Sequence, residues 1–584
     1  MRSTIKTVLL GIVMVSASLA SAATLLDLLP PDTFAAMGVE GLADHEQKAQ
    51  VFIDEWERLG LGQLLQDAYG GDEVAEATEE IPAALRDADL LDLIGDEVWL
   101  TVSASSFNPL PAVTLVARLN AAGQAAIDEL LADAAAEEGV TTLTEGAVSF
   151  YVAMPEGETD DDSMGLPSEL GALAWARAGD LLTASSNPDV LRGVLRRYQG
   201  ASEPNLTGNA GFTGTVGTLP VGNFYVYVDM ASVVTVASPF VAGMGFDGIV
   251  QRLGAAFNTM GSYGAVSYFV ADGIDGRSVR VLGDRSLDPT LYDLMTGTGG
   301  VSDDAAAFVP ATALGFQVST TDIPGWWGWL NELAASEPQL GVDDLNSVIA
   351  QMAGIDVNEL LFSWMGSEVA MITAGAPSSS SIGMAMEDPL GDTLYLVRTT
   401  NEAAASTGIS TVLQMAAGMA SSFMDPMGEG AMVMPQTRDV GGVQVTDWAL
   451  GEGFTLSTAV TGGFAIIATT PSGMDQALAA RQGSQGLPLS LAPLRQRIPQ
   501  GVNSYSLSDD SASLTATADM LVSQMDMVTG LAGGGDIDFD TAERANQALA
   551  EFVGFVAQRL GSSVGFTRFT GSTIVGESHT GVTW

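Results

Sequence analysis

The chain has 584 residues, of which 47% are hydrophobic and 16% charged, so it can build packed cores and is not a disordered chain. It has no cysteine, which excludes disulfides, thiol chemistry and cysteine-ligated metals. The formal net charge of −49 predicts repulsion from nucleic acids and anionic membrane surfaces. It leaves cationic partners, divalent ions or simple solubility as explanations.

The N-terminus has the pattern of a secretory signal peptide. Arg2 and Lys6 precede an apolar run over residues 8–15, and Ala20-Ser21-Ala22 matches a cleavage site. The apolar run is too short to span a bilayer. We therefore predict a mature protein that begins near Ala23, lies in the periplasm or at the cell surface, and has no transmembrane span.

In chain order, the next elements are a short strand after Pro30-Pro31, a helix over residues 52–59 and a strand that begins at Gly95-Asp96-Glu97-Val98. A second strand ends at Arg118, and an alanine-rich helix follows it. Hairpins, a helix opened by Pro188 and a terminal hairpin complete this part of the chain.

The same series of landmarks then appears again. Gly366-Ser367-Glu368-Val369 corresponds to the first Gly-x-Glu-Val stretch, Arg398 to Arg118, and Pro471 to Pro188. Between the two series lies a glycine-rich stretch typical of a short linker. The predicted organisation is a signal peptide (1–22), a first module (23–296), a linker (297–304) and a second module (305–584). The fold class is α+β, with two tandem similar modules, each a mainly antiparallel sheet packed with helices.

Catalytic motifs are weak. The chain has two histidines, His45 and His579, and Ser563 matches G-x-S-x-G by letter only. In a nucleophile elbow the serine follows a strand and precedes a helix, whereas here the predicted order is reversed, so a helix-to-strand turn is the better interpretation. We predict no enzyme, no cofactor and no metal site, and leave open whether the acidic loop at Asp160-Asp161-Asp162 binds calcium.

The repeated acids Glu97 and Glu368 are the candidates for a special role. Each follows a glycine at the start of an apolar strand, where a carboxylate needs hydrogen bonds or a cation. We expect each to cap a turn or to pair with a repeated arginine, Arg118 or Arg398. A ligand role is the alternative.

Two apolar clusters allow either core packing or a ligand pocket. Met415 and Met419 lie one helical turn apart, and Trp326, Trp327 and Trp329 open a helix. The packing interpretation makes them core filler and a wedge between layers. The other interpretation makes them the lining of an apolar pocket.

The chain resembles a family of secreted bacterial proteins of unknown function. The residues that carry the resemblance are Leu29-Pro30-Pro31-Asp32-Thr33, with one inserted proline, and Leu93-Ile94-Gly95-Asp96-Glu97. The second module keeps Gly366-Ser367-Glu368 but has Ala311-Thr312 in place of Asp-Thr. The family implies no activity. We therefore predict a non-enzymatic envelope protein with a structural or interaction role towards an unknown envelope protein. The alternative is a carrier of an apolar small molecule or lipid, and a hydrolase is a distant third.

Overall fold

The computed structural model describes residues 24–41, 46–61, 64, 94–104, 111–136, 139–153, 172–243, 247–297, 299–337, 344–374, 392–424, 435–451, 454–483, 487–516 and 539–584. The predicted signal peptide, His45 and the acidic loop at 160–162 lie outside these ranges. No helix within them is long and apolar enough to cross a membrane.

Twenty strands within these ranges form one sheet in which every neighbouring pair is antiparallel. The strands of the first half are β1 (Thr33–Glu40), β2 (Ile94–Ser103), β3 (Ala112–Leu119), β4 (Val140–Glu145), β5 (Val148–Ala153), β6 (Leu173–Ala178), β7 (Leu181–Ser185), β8 (Phe224–Asp229), β9 (Ser262–Val270) and β10 (Gly273–Val281). Those of the second half are β11 (Gly315–Thr320), β12 (Met365–Thr373), β13 (Thr393–Thr399), β14 (Gln436–Val440), β15 (Val443–Gly451), β16 (Phe454–Thr461), β17 (Phe464–Ala468), β18 (Ser504–Asp509), β19 (Leu560–Thr570) and β20 (Thr573–Val582).

The spatial order of the strands has a simple rule. The first half runs β4-β5-β6-β7-β3-β2-β1-β8-β9-β10, and the second half follows the same order with each number raised by ten. The last strands of the two halves, β10 and β20, pair with each other and place Arg277 opposite Glu577. The predicted α and β content and antiparallel pairing are confirmed. The sequence led us to expect one sheet per module, whereas the structure has a single continuous sheet.

The helices connect these strands and cover the sheet. They are α1 (Glu46–Arg58), α2 (Ala121–Ala135), α3 (Pro188–Tyr198), α4 (Ala210–Gly214), α5 (Met230–Gly243), α6 (Asp247–Met260), α7 (Pro289–Thr296), α8 (Ile323–Ala335), α9 (Leu345–Ala353), α10 (Glu402–Met424), α11 (Pro471–Gly483), α12 (Ala492–Arg495) and α13 (Phe539–Ala557). Short 3-10 turns over Leu25–Leu28 and Asp304–Phe308 precede the first strand of each half.

Side chains alternate between the two faces of the sheet because successive residues of a strand point in opposite directions. One face, called the core face here, carries Trp99 and Val116 in the first half and Phe316 and Ile466 in the second. The 3-10 turns, α3 and α11 cover it. On the opposite face, α2 and α10 cover smaller apolar clusters. The core of each half therefore lies mainly between the core face and the segment that precedes its first strand.

Helices of one half also pack against helices of the other. Trp56 of α1 meets Phe552 of α13 edge to face at 5.3 Å. In a second contact between the halves, Trp329 of α8 is buried in a cluster with Ala256 of α6. These contacts and the β10–β20 pairing join the two halves.

Candidate functional site

Glu97, the first of the two repeated acids, is buried and ties down the start of the described chain. Its Oε1 accepts hydrogen bonds from the Leu25 backbone N–H at 2.5 Å and from the Trp99 indole N–H at 3.2 Å. A guanidinium nitrogen of Arg118 lies 3.6 Å from the other carboxylate oxygen. The structure thus brings Glu97 and Arg118 together at the edge of the core.

A second glutamate, Glu40, lies directly opposite Glu97 on the neighbouring strand β1. Burial, and after it the nearby carboxyl of Glu40, raise the pKa of Glu97 to about 7, against the opposing effects of Leu25, Arg118 and Trp99. Burial also raises the pKa of Glu40, whose Oε1 is buried without a hydrogen-bond partner among the described residues. Burial and like charge together favour a protonated carboxyl at Glu97 near neutral pH.

Glu368 occupies the corresponding place in the second half but has different neighbours. It accepts hydrogen bonds from the Ser302 backbone N–H at 2.7 Å, from the Ser302 hydroxyl at 3.0 Å and from Arg398 at 3.0 Å. Across the strand lies Thr320 where the first half has Glu40. Ser302 belongs to the predicted linker, so Glu368 ties the end of that segment to the second half.

The two Glu–Arg pairs therefore lie in separate halves, and each fixes the segment in front of its own first strand. Both glutamates are buried and both face arginines. Chemically, each site holds a backbone segment, and neither opens a place where a substrate meets both acids.

The structure places the tryptophans and methionines in different clusters. The Trp329 indole donates to Asp288 at 2.9 Å, and the Trp327 indole donates to Asn346 at 2.9 Å. Trp326 packs edge to face on Trp329 at 6.1 Å. Met415 is half-buried in α10. Ile409 of the same helix packs in a cluster with Trp364. The side chain of Met419 lies outside the described part of the chain.

Ser563 and His579 lie on opposite faces of the sheet. Ser563 is within β19 and pairs with Thr580, whereas His579 pairs with Val564. Ser563 is therefore in a strand and not in the helix-to-strand turn that the sequence suggested, because β19 begins at Leu560. A proton relay between these two side chains would have to cross the sheet.

His579 lines a cleft of about 350 Å³ in the middle of the sheet, which we call the junction cleft. It lies on the core face where β10 and β20 pair, between the cores of the two halves. His579 Nδ1 lies 2.7 Å from Asp275 Oδ1, and these residues face each other across the two strands. The ionisable lining residues are Asp272, Asp275, Arg277, Arg497, Glu577 and His579.

Two arginines of the junction cleft lack ion pairs. Arg118, Arg252, Arg398, Arg438 and Arg495 all have a carboxylate oxygen within 4.0 Å. Arg277 and Arg497 have none among the residues that the structure describes, although the chain has 71 acidic residues against 22 basic ones. The same holds for Arg280, Arg481, Arg559 and Arg568, which do not line this cleft. The junction cleft therefore presents cations whose charge is not neutralised by a neighbour.

Further clefts differ in their lining. One of about 430 Å³ lies on the opposite face of the same strands, and small hydroxyl residues and glycines such as Ser278, Gly576 and Ser578 form its floor. Another of about 520 Å³ lies between the start of α10 and residues 354–360, with Asp356 and Glu359 in its lining. Neither is apolar throughout.

Sequence reasoning missed Glu40 and the arginines of the junction cleft. Glu40 ends an apolar strand and resembles an ordinary solvent-facing strand end. Arg277, Arg497 and His579 are distant in sequence and meet only because β10 pairs with β20. The one local signal was a strand, Arg277 to Leu282, in which polar and apolar residues alternate.

Comparison with known proteins adds a family but no activity. A search of curated proteins found no match. Among solved structures, the one titled crystal form I of TP0453 shares 10% identity over 48% of this chain and 89% of that chain, with a TM-score of 0.22. A TM-score this low does not establish a shared fold. The family model described as a protein of unknown function, DUF3352, matches residues 87–500, which include both Gly-x-Glu stretches and the predicted linker. The chain therefore belongs to the DUF3352 family.

Proposed function

We propose that this protein is a non-enzymatic binding protein of the periplasm or cell surface, and that it binds its partner or ligand in the junction cleft. The observation that carries the proposal is the group of arginines without ion pairs, Arg277 and Arg497, in a cleft between the two halves. Both side chains are exposed to solvent, so their N–H groups are available to a ligand in the cleft.

The arrangement favours binding over catalysis. The His579–Asp275 pair has the orientation of a general base and its partner, but Ser563 lies on the other face of the sheet. The repeated glutamates hold backbone segments and are not among the residues that line the junction cleft. A hydrolase therefore stays a distant alternative.

Site-specific photocrosslinking in intact cells tests the binding proposal. A photoreactive residue in place of Tyr268, which lines the junction cleft, should capture a discrete partner or ligand. The matched control is the same residue in place of Leu489, which is 94% exposed and lies outside the cleft lining. Equal adducts at both positions, or none at Tyr268, would remove the cleft from consideration. A purified esterase activity lost in Ser563→Ala would overturn the non-enzyme proposal.

The location outside the cytoplasm rests on the signal-peptide pattern of the first residues, Arg2 to Ala22. Fractionation of cells followed by N-terminal sequencing should give a mature chain that begins near Ala23. A chain that retains Met1 in the cytoplasmic fraction would contradict it.

We also propose that residues near 25–296 and 305–584 are two copies of one fold. The matching strand order and the corresponding positions of Glu97 and Glu368 support this proposal. The apolar carrier receives less support, because charged or hydroxyl groups line the clefts described above. An experimental structure in which the two halves do not superpose would contradict the repeat.

A further inference from the structure

We propose that the ligand of the junction cleft is a small zwitterion that carries an ammonium group and a carboxylate, such as an amino acid or a short peptide. This inference rests on the binding function proposed above and names the ligand class. Its basis is that the cleft offers available charges of both signs, at a place where they do not neutralise each other.

The central observation is the pair Arg277 and Glu577. These residues lie directly opposite each other on neighbouring strands, where side chains of opposite charge can readily meet. No nitrogen of Arg277 lies within 4.0 Å of a carboxylate oxygen in the described ranges, and Glu577 likewise forms no ion pair there. Both charges therefore remain available to a third group that lies between them.

Further groups extend this pattern. Arg497 adds a second guanidinium to the cleft, and Asp272 adds a second carboxylate. Asp275 is already engaged by His579 at 2.7 Å. Two guanidinium groups suit a carboxylate, because their planar N–H groups match its two oxygens. Glu577 and Asp272 suit an ammonium group, which donates three hydrogen bonds.

The charge of the whole molecule selects between ligands. A chain with a formal net charge of −49 repels an approaching anion before it reaches the cleft. A purely cationic ligand would have the carboxylates of the cleft as partners but would leave Arg277 and Arg497 without a counter-charge. A zwitterion has no net charge, so it escapes the long-range repulsion and still satisfies both signs locally.

Titration calorimetry of the full chain with three dipeptide probes tests the inference. Dialanine has both charges, N-acetyl-dialanine lacks the ammonium, and dialanine amide lacks the carboxylate. We expect saturable binding of dialanine and at least about tenfold weaker binding of each blocked probe, because each loses charge-assisted hydrogen bonds. Blocked probes that bind as tightly as dialanine, or no saturable binding of dialanine, would overturn the zwitterion assignment.

Variants assign each charge to its partner. Arg277→Gln should weaken dialanine about tenfold and leave dialanine amide unchanged, whereas Glu577→Gln should weaken dialanine and leave N-acetyl-dialanine unchanged. Arg497→Gln, outside the strands, repeats the arginine test if Arg277→Gln fails to fold. The matched control is Arg568→Gln, an exposed arginine on β19 that does not line the cleft. An equal loss in that control would contradict the site.

The two proposals fail in different ways. If photocrosslinking at Tyr268 captures a ligand but none of the dipeptides binds, the binding function stands and the zwitterion assignment falls. If the dipeptides bind but neither Arg277→Gln nor Arg497→Gln weakens them, they bind elsewhere and the zwitterion assignment falls, while crosslinking at Tyr268 still decides the binding function.

Discussion

At the scale of single residues, the two halves solve one problem in different ways. Each must hold a segment in front of its first strand, and each uses a buried glutamate to accept a backbone N–H, from Leu25 in one and Ser302 in the other. Glu368 receives a full set of donors. Glu97 instead faces Glu40, so its ionisation is opposed by burial and by a like charge.

This difference predicts a pH effect on the first half. Because the pKa of Glu97 is raised to about 7 in the folded state, its contribution to stability is full below the ordinary glutamate pKa and is lost as pH rises through 7. Relative to Glu97→Gln, the wild type should lose roughly 2 kcal/mol of unfolding free energy between pH 5 and pH 8. Urea unfolding at both pH values measures it.

The control is Glu368→Gln, which loses its charge-assisted bond from Arg398 and faces only Thr320 across the strand. Its loss of stability at the same two pH values gives the background against which the Glu97→Gln change is compared. A wild-type minus Glu97→Gln difference that does not change with pH would show that the Glu40–Glu97 pair does not hold a proton.

The indole ring of Trp99, on the neighbouring strand, leaves no space for a side chain at Gly38. A Cβ atom at Gly38 would lie within 3 Å of the indole ring, which is fully buried. The second half has Val318 opposite Ala370 at the matching places, so a medium and a small side chain replace glycine and tryptophan.

We therefore expect Gly38→Ala to cost about 1–3 kcal/mol of unfolding free energy, because the indole has to shift in a packed core. Trp99→Leu in the same chain should relieve part of that cost, so that the two changes together cost less than their sum. Chemical denaturation of the four proteins in this cycle measures it, and simple additivity would contradict the proposed clash.

At the scale of elements, the halves meet through two helix pairs whose charges are arranged alike. Arg58 of α1 pairs with Glu551 of α13 at 2.5 Å, and Arg252 of α6 pairs with Glu332 of α8 at 2.7 Å. In both pairs the first half supplies the arginine and the second half supplies the glutamate. If two first halves were paired in this way, arginine would face arginine at these positions. If two second halves were paired, glutamate would face glutamate.

Reversal of one charge tests this contact. Glu551→Arg should lower the melting temperature slightly at low salt, because it replaces a weak exposed ion pair with like charges that repel each other. Arg58→Glu in the same chain should restore part of it, because the new carboxylate pairs with the arginine at 551 but also meets Glu55, the second partner of Arg58. A salt concentration of 1 M should abolish the difference. The matched control is Asp293→Arg, which reverses one charge of an exposed ion pair, with Arg285, that lies within one half and does not join the two halves. Failure of the paired reversal to restore stability would contradict the contact.

The sequence predicted elements better than it predicted their assembly. The Gly-x-Glu strands, the helices opened by Pro188 and Pro471 and the antiparallel pairing follow from local periodicity and turn residues. The β10–β20 pairing does not, because an edge strand with alternating polar residues looks the same whether it meets solvent or another strand. The junction cleft depends on that pairing, so its residues could not be grouped from the sequence.

At the scale of the whole molecule, the predicted linker is not what keeps the halves together. Nine residue pairs join β10 to β20, and the helix contacts add to them. On the second-half side, the Val301 N–H donates to the Val502 carbonyl at 2.9 Å and Asp303 pairs with Arg495 at 2.8 Å.

A protease site inserted within residues 297–300 tests this organisation. After cleavage, we expect the two fragments to elute together in size-exclusion chromatography and to unfold in one cooperative transition, because the shared strands and helices hold them. The uncut chain is the control. Fragments that separate at neutral pH would show that covalent connection, and not strand pairing, joins the halves.

The pairing of β10 with β20 also limits how far such a sheet can grow. The last strand of each half, β10 or β20, forms its inner edge. These two corresponding strands pair antiparallel with each other, with Gly273 opposite Gly581 and Val281 opposite Thr573. Once β10 and β20 have paired, neither inner edge is left for a further strand. The outer edges, β4 and β14, are short strands rich in exposed threonine, glutamine and aspartate side chains, which discourage the addition of a further strand. Any further strand would therefore have to pair with β4 or β14, against the polar side chains that these two edges expose.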